Sequence, residues 1–269
     1  MEQTIKENSI TQGVIWKQLL IFFFPILIGT FFQQLYNTVD TIVVGQYVGT
    51  QALAAVGTTG TLINLLVGFF VGVSSGTTVI ISQFFGAGDA KNVSKAVHTS
   101  IALALVGGLI IMVLGLLTAR PSLELLGVPQ EIMGDALTYV NVYYAGIIAC
   151  MVYNVGTGVL RAIGDSRMPL YVLIVCCLVN IVLDLLFVLM FHWGVFGVAI
   201  ATALSQVVSA VLIMLRLMLT RESYRVEWKK IRFDRGILRN VIRIGLPAGL
   251  QSVLYSVSNL VIQAGINSF

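Results

Sequence analysis

Residues 19–44 read LLIFFFPILIGTFFQQLYNTVDTIVV, and the run contains a single charge, Asp40. A helix rises about 1.5 Å per residue, so about 20 apolar residues cross a ~30 Å hydrocarbon layer. This stretch is long and apolar enough to do so. Five comparable runs follow at Leu53–Ser82, Val93–Thr118, Ala136–Leu160, Leu170–Phe191 and Gly194–Leu219, and a seventh begins near Ile244 and continues to Phe269. The pattern predicts an all-α polytopic membrane protein. Residues 1–219 form a six-helix lobe, 220–243 a basic amphipathic linker, and 244–269 the first helix of a second, parallel repeat.

Composition supports this class. Of 269 residues, 57% are hydrophobic and 10% charged, with a mean hydropathy of +0.93. Soluble domains carry roughly 25% charge and cannot hide so much apolar surface. A water-soluble globule, a disordered chain and a nucleic-acid-binding module are all excluded. Cys150, Cys176 and Cys177 lie in apolar runs without metal-ligand spacing, as buried reduced thiols do. The first apolar run is too long for a cleavable signal, and Glu2 and Glu7 precede it.

The net charge of +4 is distributed asymmetrically. With a cytoplasmic N-terminus, the inner segments hold Lys6, Lys17, Lys91, Lys95, Arg161 and Arg167. They also hold the nine basic residues from Arg216 to Arg243, leaving only Arg120 outside. Positive-inside counting therefore predicts an N-in, multi-pass protein of the cell membrane. Gly45–Ala52 and His192–Trp193 read as short turns. Asp234–Arg243 alternates Ile237, Leu238, Val241 and Ile242 with Arg235, Arg239 and Arg243, which predicts a basic amphipathic helix on the membrane surface. Trp228, Tyr224 and Phe233 are the only base-stacking candidates near it, so nucleic acid is not an expected partner.

At an offset of 222, Ile15 falls on Ile237, Lys17 on Arg239, Pro25 on Pro247, Ile28 on Leu250, Asn37 on Asn259 and Val39 on Val261. The Lys/Arg, Pro/Pro and Asn/Asn matches share one offset, and six helices separate spans one and seven, so the two run in parallel. This is a known transporter plan. A full second copy would end at about residue 444, so the chain reads as one lobe and the opening of another, with the second lobe as its missing partner.

Two acids lie within spans: Asp40 in span one and Asp184 in span five. An ionised carboxylate inside a bilayer costs at least ~2.5–3.5 kcal/mol and normally faces a cavity or a partner. No Lys or Arg lies at comparable depth. Such an acid is free to bind a proton or a metal cation. Counted from the outer ends of their spans, the two sit about 6 Å and 10 Å deep at 1.5 Å per residue. Asn180 is one turn below Asp184, Tyr36 and Asn37 one turn before Asp40, and Thr202 lies at similar depth in span six. Two carboxylates, an amide oxygen and a hydroxyl form an all-oxygen set for Na⁺ or a proton relay. Helix capping or interhelical hydrogen bonding is the plainer alternative, but it leaves two sub-surface acids unexplained. The Gly68, Gly72, Gly76 series predicts close helix packing, Pro25 a kink in span one, and His98 and His192 interfacial positions.

On these residues the chain resembles the multidrug and toxic compound extrusion (MATE) family, closest to its DinF-like branch. The resemblance rests on Pro25-Ile26-Leu27 through Tyr36-Asn37-Thr38-Val39-Asp40, on Gly76 through Ser82-Gln83-Phe84-Phe85-Gly86-Ala87-Gly88-Asp89, on Leu160-Arg161-Ala162-Ile163-Gly164-Asp165-Ser166-Arg167-Met168-Pro169, and on Asn180-Ile181-Val182-Leu183-Asp184. It implies export of amphipathic, often cationic organic compounds or drugs, coupled to H⁺ or Na⁺, by alternating access. It also implies that Asp40, Asn180, Asp184 and Thr202 hold the coupling ion, with Na⁺ as the metal in question. Tyr139 and Asn154 would share that cavity with Tyr36 and Asn37. No other cofactor is implied. The family has twelve helices in two lobes, which the present length does not reach. The alternative is a lipid-linked oligosaccharide flippase of the same superfamily. That function calls for basic residues in the cavity, and none lies at the depth of the two acids. An intramembrane protease would need a Gly-Asp at mid-helix depth, whereas Gly164-Asp165 falls in a loop.

Overall fold

The computed structural model describes residues 14–267, with side chains described for 14 and 16–258. Seven long helices account for most of it and no strand occurs among the described residues: α1 (Ile15–Val43), α2 (Thr50–Gly86), α3 (Ala90–Leu125), α4 (Gln130–Ala162), α5 (Arg167–Leu185), α6 (Gly194–Leu219) and α7 (Arg235–Asn267). Six are long and apolar enough to cross a membrane. Lys6 and the last two residues lie outside the described part, and the side chains of Asn259 and Val261 are not described.

The helices alternate in direction. α4 is central, packed against α2, α3 and α6; α5 lies on α6, and α1 is applied mainly to α5. The ends that carry the basic residues lie together on one face, here termed the basic face. The core divides accordingly. Ile81, Val97, Ile147, Val159, Ile213 and Leu217 fill the half toward the basic face. A separate cluster around Val43, Val44, Val188, Val198 and Tyr139 fills the opposite half.

Two of the turns on the basic face are built alike. After α2, Gly88 adopts φ +73°, and the Asp89 N–H bonds the Phe84 carbonyl at 3.0 Å. After α4, Gly164 adopts φ +88°, and the Asp165 N–H bonds the Leu160 carbonyl at 2.9 Å. Each is a left-handed helix stop that a side chain at Cβ would strain. The following Asp then caps the next helix: Asp89 accepts the Asn92 N–H, and Asp165 the Met168 N–H, both at 3.0 Å. The repeated Gly-Asp pairs are therefore the chain's reversal device. The hydrogen bonds from the Asn92 backbone and side chain hold the Asp89 carboxyl below the usual carboxylate range. A depressed value means that the cap is fully present at neutral pH and is lost only as pH falls through it.

The connection expected over Gly45–Ala52 is a single residue. α1 continues as a π-helical turn over Val44–Val48, Gly49 reverses the chain at φ +123°, and α2 starts at Thr50. The boundary drawn at 243/244 also falls inside a helix, since α7 runs unbroken from Arg235. Asp234 caps it, with its Oδ1 accepting the Gly236 and Ile237 N–H groups at 3.1 Å. Nothing between Arg235 and Leu246 interrupts the hydrogen-bond ladder. Ile237 and Val241 are buried against the lobe. The apolar stripe read as a membrane-surface face is thus spent largely on protein.

The Gly68-Gly72-Gly76 face packs closely, and its partner is α7. A Cβ at Gly72 would stand 2.5 Å from the Gly249 Cα, and one at Gly76 would meet the Val241 carbonyl and the Gly245 nitrogen. Gly245 and Gly249 supply the matching face, again at a spacing of four. Within lipid such backbone approach replaces the missing hydrophobic drive between helices. Gly72→Val is expected to part α2 from α7 at a cost of about 1–3 kcal/mol, as for overpacking elsewhere. A lowered thermal midpoint in detergent, with Gly57→Ala unchanged because its Cβ meets nothing within 4 Å, checks this.

Candidate functional site: a buried carboxyl pair

Asp40 and Asp184 come from helices far apart in sequence but adjacent in space, because α1 lies along α5. Both are buried, at 8% and 0% exposure. Their carboxyl groups face each other. One Asp40 oxygen and both Asp184 oxygens have no hydrogen-bond partner. The four salt bridges among the described residues all lie at helix ends or in the connector, so no arginine or lysine neutralises the pair. Two ionised carboxylates about 4 Å apart repel by roughly 4 kcal/mol at an effective dielectric of 20. The arrangement calls for one small positive charge between them.

The surroundings are oxygen-rich. Asn180 lies one turn along α5 from Asp184, is 0% exposed, and has both its amide oxygen and nitrogen unsatisfied. Buried polar groups in folded proteins are nearly always hydrogen-bonded. A group of orphans at one level therefore marks a place for a guest. Thr202 on α6 donates to the Val198 carbonyl at 3.0 Å, and Tyr36 and Tyr139 lie beside it. Three helices besides α5 thereby contribute: α1 through Tyr36 and Asp40, α4 through Tyr139, and α6 through Thr202. Among the described residues no cluster of three or more His, Cys, Asp or Glu occurs. The donor set fits a proton or a hard monovalent cation better than a thiolate- or imidazole-loving metal.

Two residues assigned to this cavity do not join the buried group. Asn37 is exposed on α1, its amide 3.4 Å from the Gln34 side chain. At about 100° per residue, Asn37 stands about 60° and Tyr36 about 40° around α1 from Asp40, so both lie on its side of the helix, Tyr36 half-buried and Asn37 exposed. Asn154 lies fifteen residues beyond Tyr139 on α4, which is about 22 Å at 1.5 Å per residue. Its amide turns back onto the Cys150 carbonyl at 2.8 Å. Shared membership of one helix does not bring Asn154 to the level of the acids.

Sequence reading also missed contributors. Tyr143 stands one turn from Tyr139 and close to Tyr36. Gln206, one turn from Thr202, leaves a buried side-chain oxygen unsatisfied. The i,i+4 rule applied to each site residue would have found both. No such rule finds the π turns. α1 opens into one at Val44–Val48, just after Asp40, and α5 into another at Leu186–Met190, just after Asp184. π turns recur at functional sites because the extra residue widens the helix and frees a carbonyl.

Helices enough to span a bilayer, enclosing an acid pair without a basic partner among the described residues, define a polytopic membrane protein. The chain belongs to the MatE family, whose profile matches residues 25–186; this is a family of transporters, not of enzymes. A probable multidrug resistance protein of Bacillus subtilis (strain 168), YoeA, is 27% identical over 280 residues, covering 99% of this chain and 60% of its own length. A solved outward-facing multidrug resistance MATE family transporter of the MOP superfamily superposes with TM-score 0.87 at 30% identity, covering 95% of this chain and 57% of its own. An inward-facing conformation gives 0.77 at 31% identity, over 84% and 51%. The chain thus spans about three-fifths of the length of these relatives.

A hydrophobic carbodiimide, which attacks protonated carboxyls in apolar surroundings, is expected to label the pair. Mass spectrometry should find the adduct on Asp40 or Asp184, with labelling lost in the Asp40→Asn/Asp184→Asn double variant.

Proposed function

We propose that this chain is the amino-terminal lobe of a cation-coupled antiporter that exports amphipathic, cationic organic compounds across the cell membrane. Its N-terminus is cytoplasmic, and a second six-helix lobe of the same protein is its partner. The observation that supports the reading most is the facing pair Asp40 and Asp184, buried with unsatisfied oxygens and no basic neighbour.

The chemistry follows from charge. A proton on the pair is shared between two oxygens, and a Na⁺ ion finds the carboxylates, the Asn180 amide oxygen and the Thr202 hydroxyl in one place. Loading changes the charge at the junction of α1 and α5 by one unit. α1 is the most weakly packed of the spans, with 6% of its apolar window buried, so it is the element such a change moves most easily. A ligand shifts a conformational equilibrium only through its differential affinity for the two states. Cation and cargo compete if each favours a different position of α1 against the lobe. The MatE family membership and relatives named as multidrug resistance proteins support the cargo class.

Ethidium efflux from vesicles containing the complete gene product tests the proposal, with pH and sodium gradients imposed separately. One gradient should drive efflux. Asp40→Asn and Asp184→Asn should each reduce it to the level of protein-free vesicles, with the protein still present at normal abundance. Undiminished efflux in both variants rejects the mechanism.

A further inference from the structure

The carboxyl pair makes no use of the connector between α6 and α7. Its residues cross the basic face as an ordered strap held from beneath by α3. Thr99 holds it twice, accepting the Asp234 N–H at 3.1 Å and donating to the Arg232 carbonyl at 3.4 Å. His98, 3% exposed, accepts the Glu227 N–H on Nε2 at 3.0 Å, while its Nδ1 stands 2.6 Å from the Ser94 carbonyl. Ser223, Tyr224 and Val226 turn into the lobe, and the Val226 N–H bonds the Leu217 carbonyl at 2.9 Å. The other side of the strap presents Trp228, 57% exposed, and Phe233, 41% exposed, with Lys229, Lys230 and Arg232 exposed between them.

Core packing does not explain two large aromatic rings on an exposed, charged strap. Their depth does. His98 and Thr99 lie about 12–14 Å along α3 from its start at Ala90. Lys91 and Lys95 occupy the turns before them, and the long apolar run follows. The strap is therefore fixed where α3 passes from its charged end into its apolar span, the level at which lipid headgroups lie and at which Trp concentrates. The two carboxylates that flank Lys229 and Arg232, Glu227 and Asp234, are engaged. Glu227 meets Lys230 at 2.8 Å, and Asp234 meets Lys95 at 3.6 Å and caps α7. No acidic partner approaches Lys229 or Arg232 among the described residues.

We propose that the strap is a docking surface for the headgroup of an anionic glycerophospholipid. Lys229 and Arg232 take the phosphate oxygens, the arginine through its planar fork. Trp228 and Phe233 enter the glycerol and upper acyl region, where a free phosphate ion offers them nothing. A mobile basic loop attracts a membrane by charge alone and must be ordered to make a site. Here the backbone is already anchored to α3, so little ordering remains to oppose binding. The proposal holds whichever ion or cargo the protein moves.

Two measurements on the full chain test it. In vesicles of phosphatidylcholine with phosphatidylglycerol, the fluorescence contributed by Trp228, obtained by difference from Trp228→Phe, should be quenched more by brominated phosphatidylglycerol than by brominated phosphatidylcholine. In native mass spectrometry from mixed micelles, Lys229→Gln/Arg232→Gln should weaken phosphatidylglycerol retention about 25-fold, at roughly fivefold per basic residue. Arg239→Gln/Arg243→Gln, an equal charge loss on exposed residues of the same face, should leave it unchanged. Equal losses in the two double variants overturn the proposal in favour of bulk charge. Displacement of the lipid by equimolar inorganic phosphate overturns it in favour of a free-anion site. Absence of bromine quenching at Trp228 shows that the rings do not reach lipid, and equally overturns it.

Discussion

Two carboxyl groups facing each other inside an apolar bundle, with no base to neutralise either, constrain much of the rest of this structure. Such a pair is unfavourable unless something positive lies between its members, and nothing in the surrounding lobe supplies that charge permanently. The neighbouring groups are neutral and oxygen-bearing: the Asn180 amide, the Thr202 hydroxyl and the Tyr36 and Tyr139 phenols. The bundle holds the two acids together through the seating of α1 on α5 and widens both helices into π turns just beyond them.

Packing is distributed unevenly around this site. α2, α3, α4 and α6 form a close-knit body, and the α2 glycines admit α7 so near that a single Cβ would collide with its backbone. α1 lies on the side of that body with most of its surface uncovered. One acid thus stands on the loosest helix and the other on α5, which joins α1 to the body. A change of charge at their junction acts where the structure resists least.

The basic face shows how a local rule becomes a tertiary one. Gly88-Asp89 and Gly164-Asp165 reverse the chain by the same left-handed stop and cap. The connector that follows α6 is secured by α3 side chains, chiefly His98 and Thr99. His98 is consequently a buried anchor of the strap at the end of its span, shielded from solvent by the connector it holds. Of the cavity set, Asn37 stays exposed beside Gln34 on α1, and Asn154 lies at another depth on α4, turned onto Cys150.

Apolar run length and charge placement are one-dimensional quantities, so six spans, a basic face, the Gly-xxx-Gly packing series and the two anomalous acids could all be read from the chain itself. Asn180 was legible as well, because one helical turn is a fixed number of residues. Which helices touch is a different kind of fact. That α1 seats on α5, that the glycine face receives α7, that Gly49 alone turns the chain, and that two helices end in π turns all depend on how side chains from distant segments fill one volume. No period in the sequence encodes that filling. It decided that Asp40 and Asp184, separated by three helices along the chain, meet as a pair.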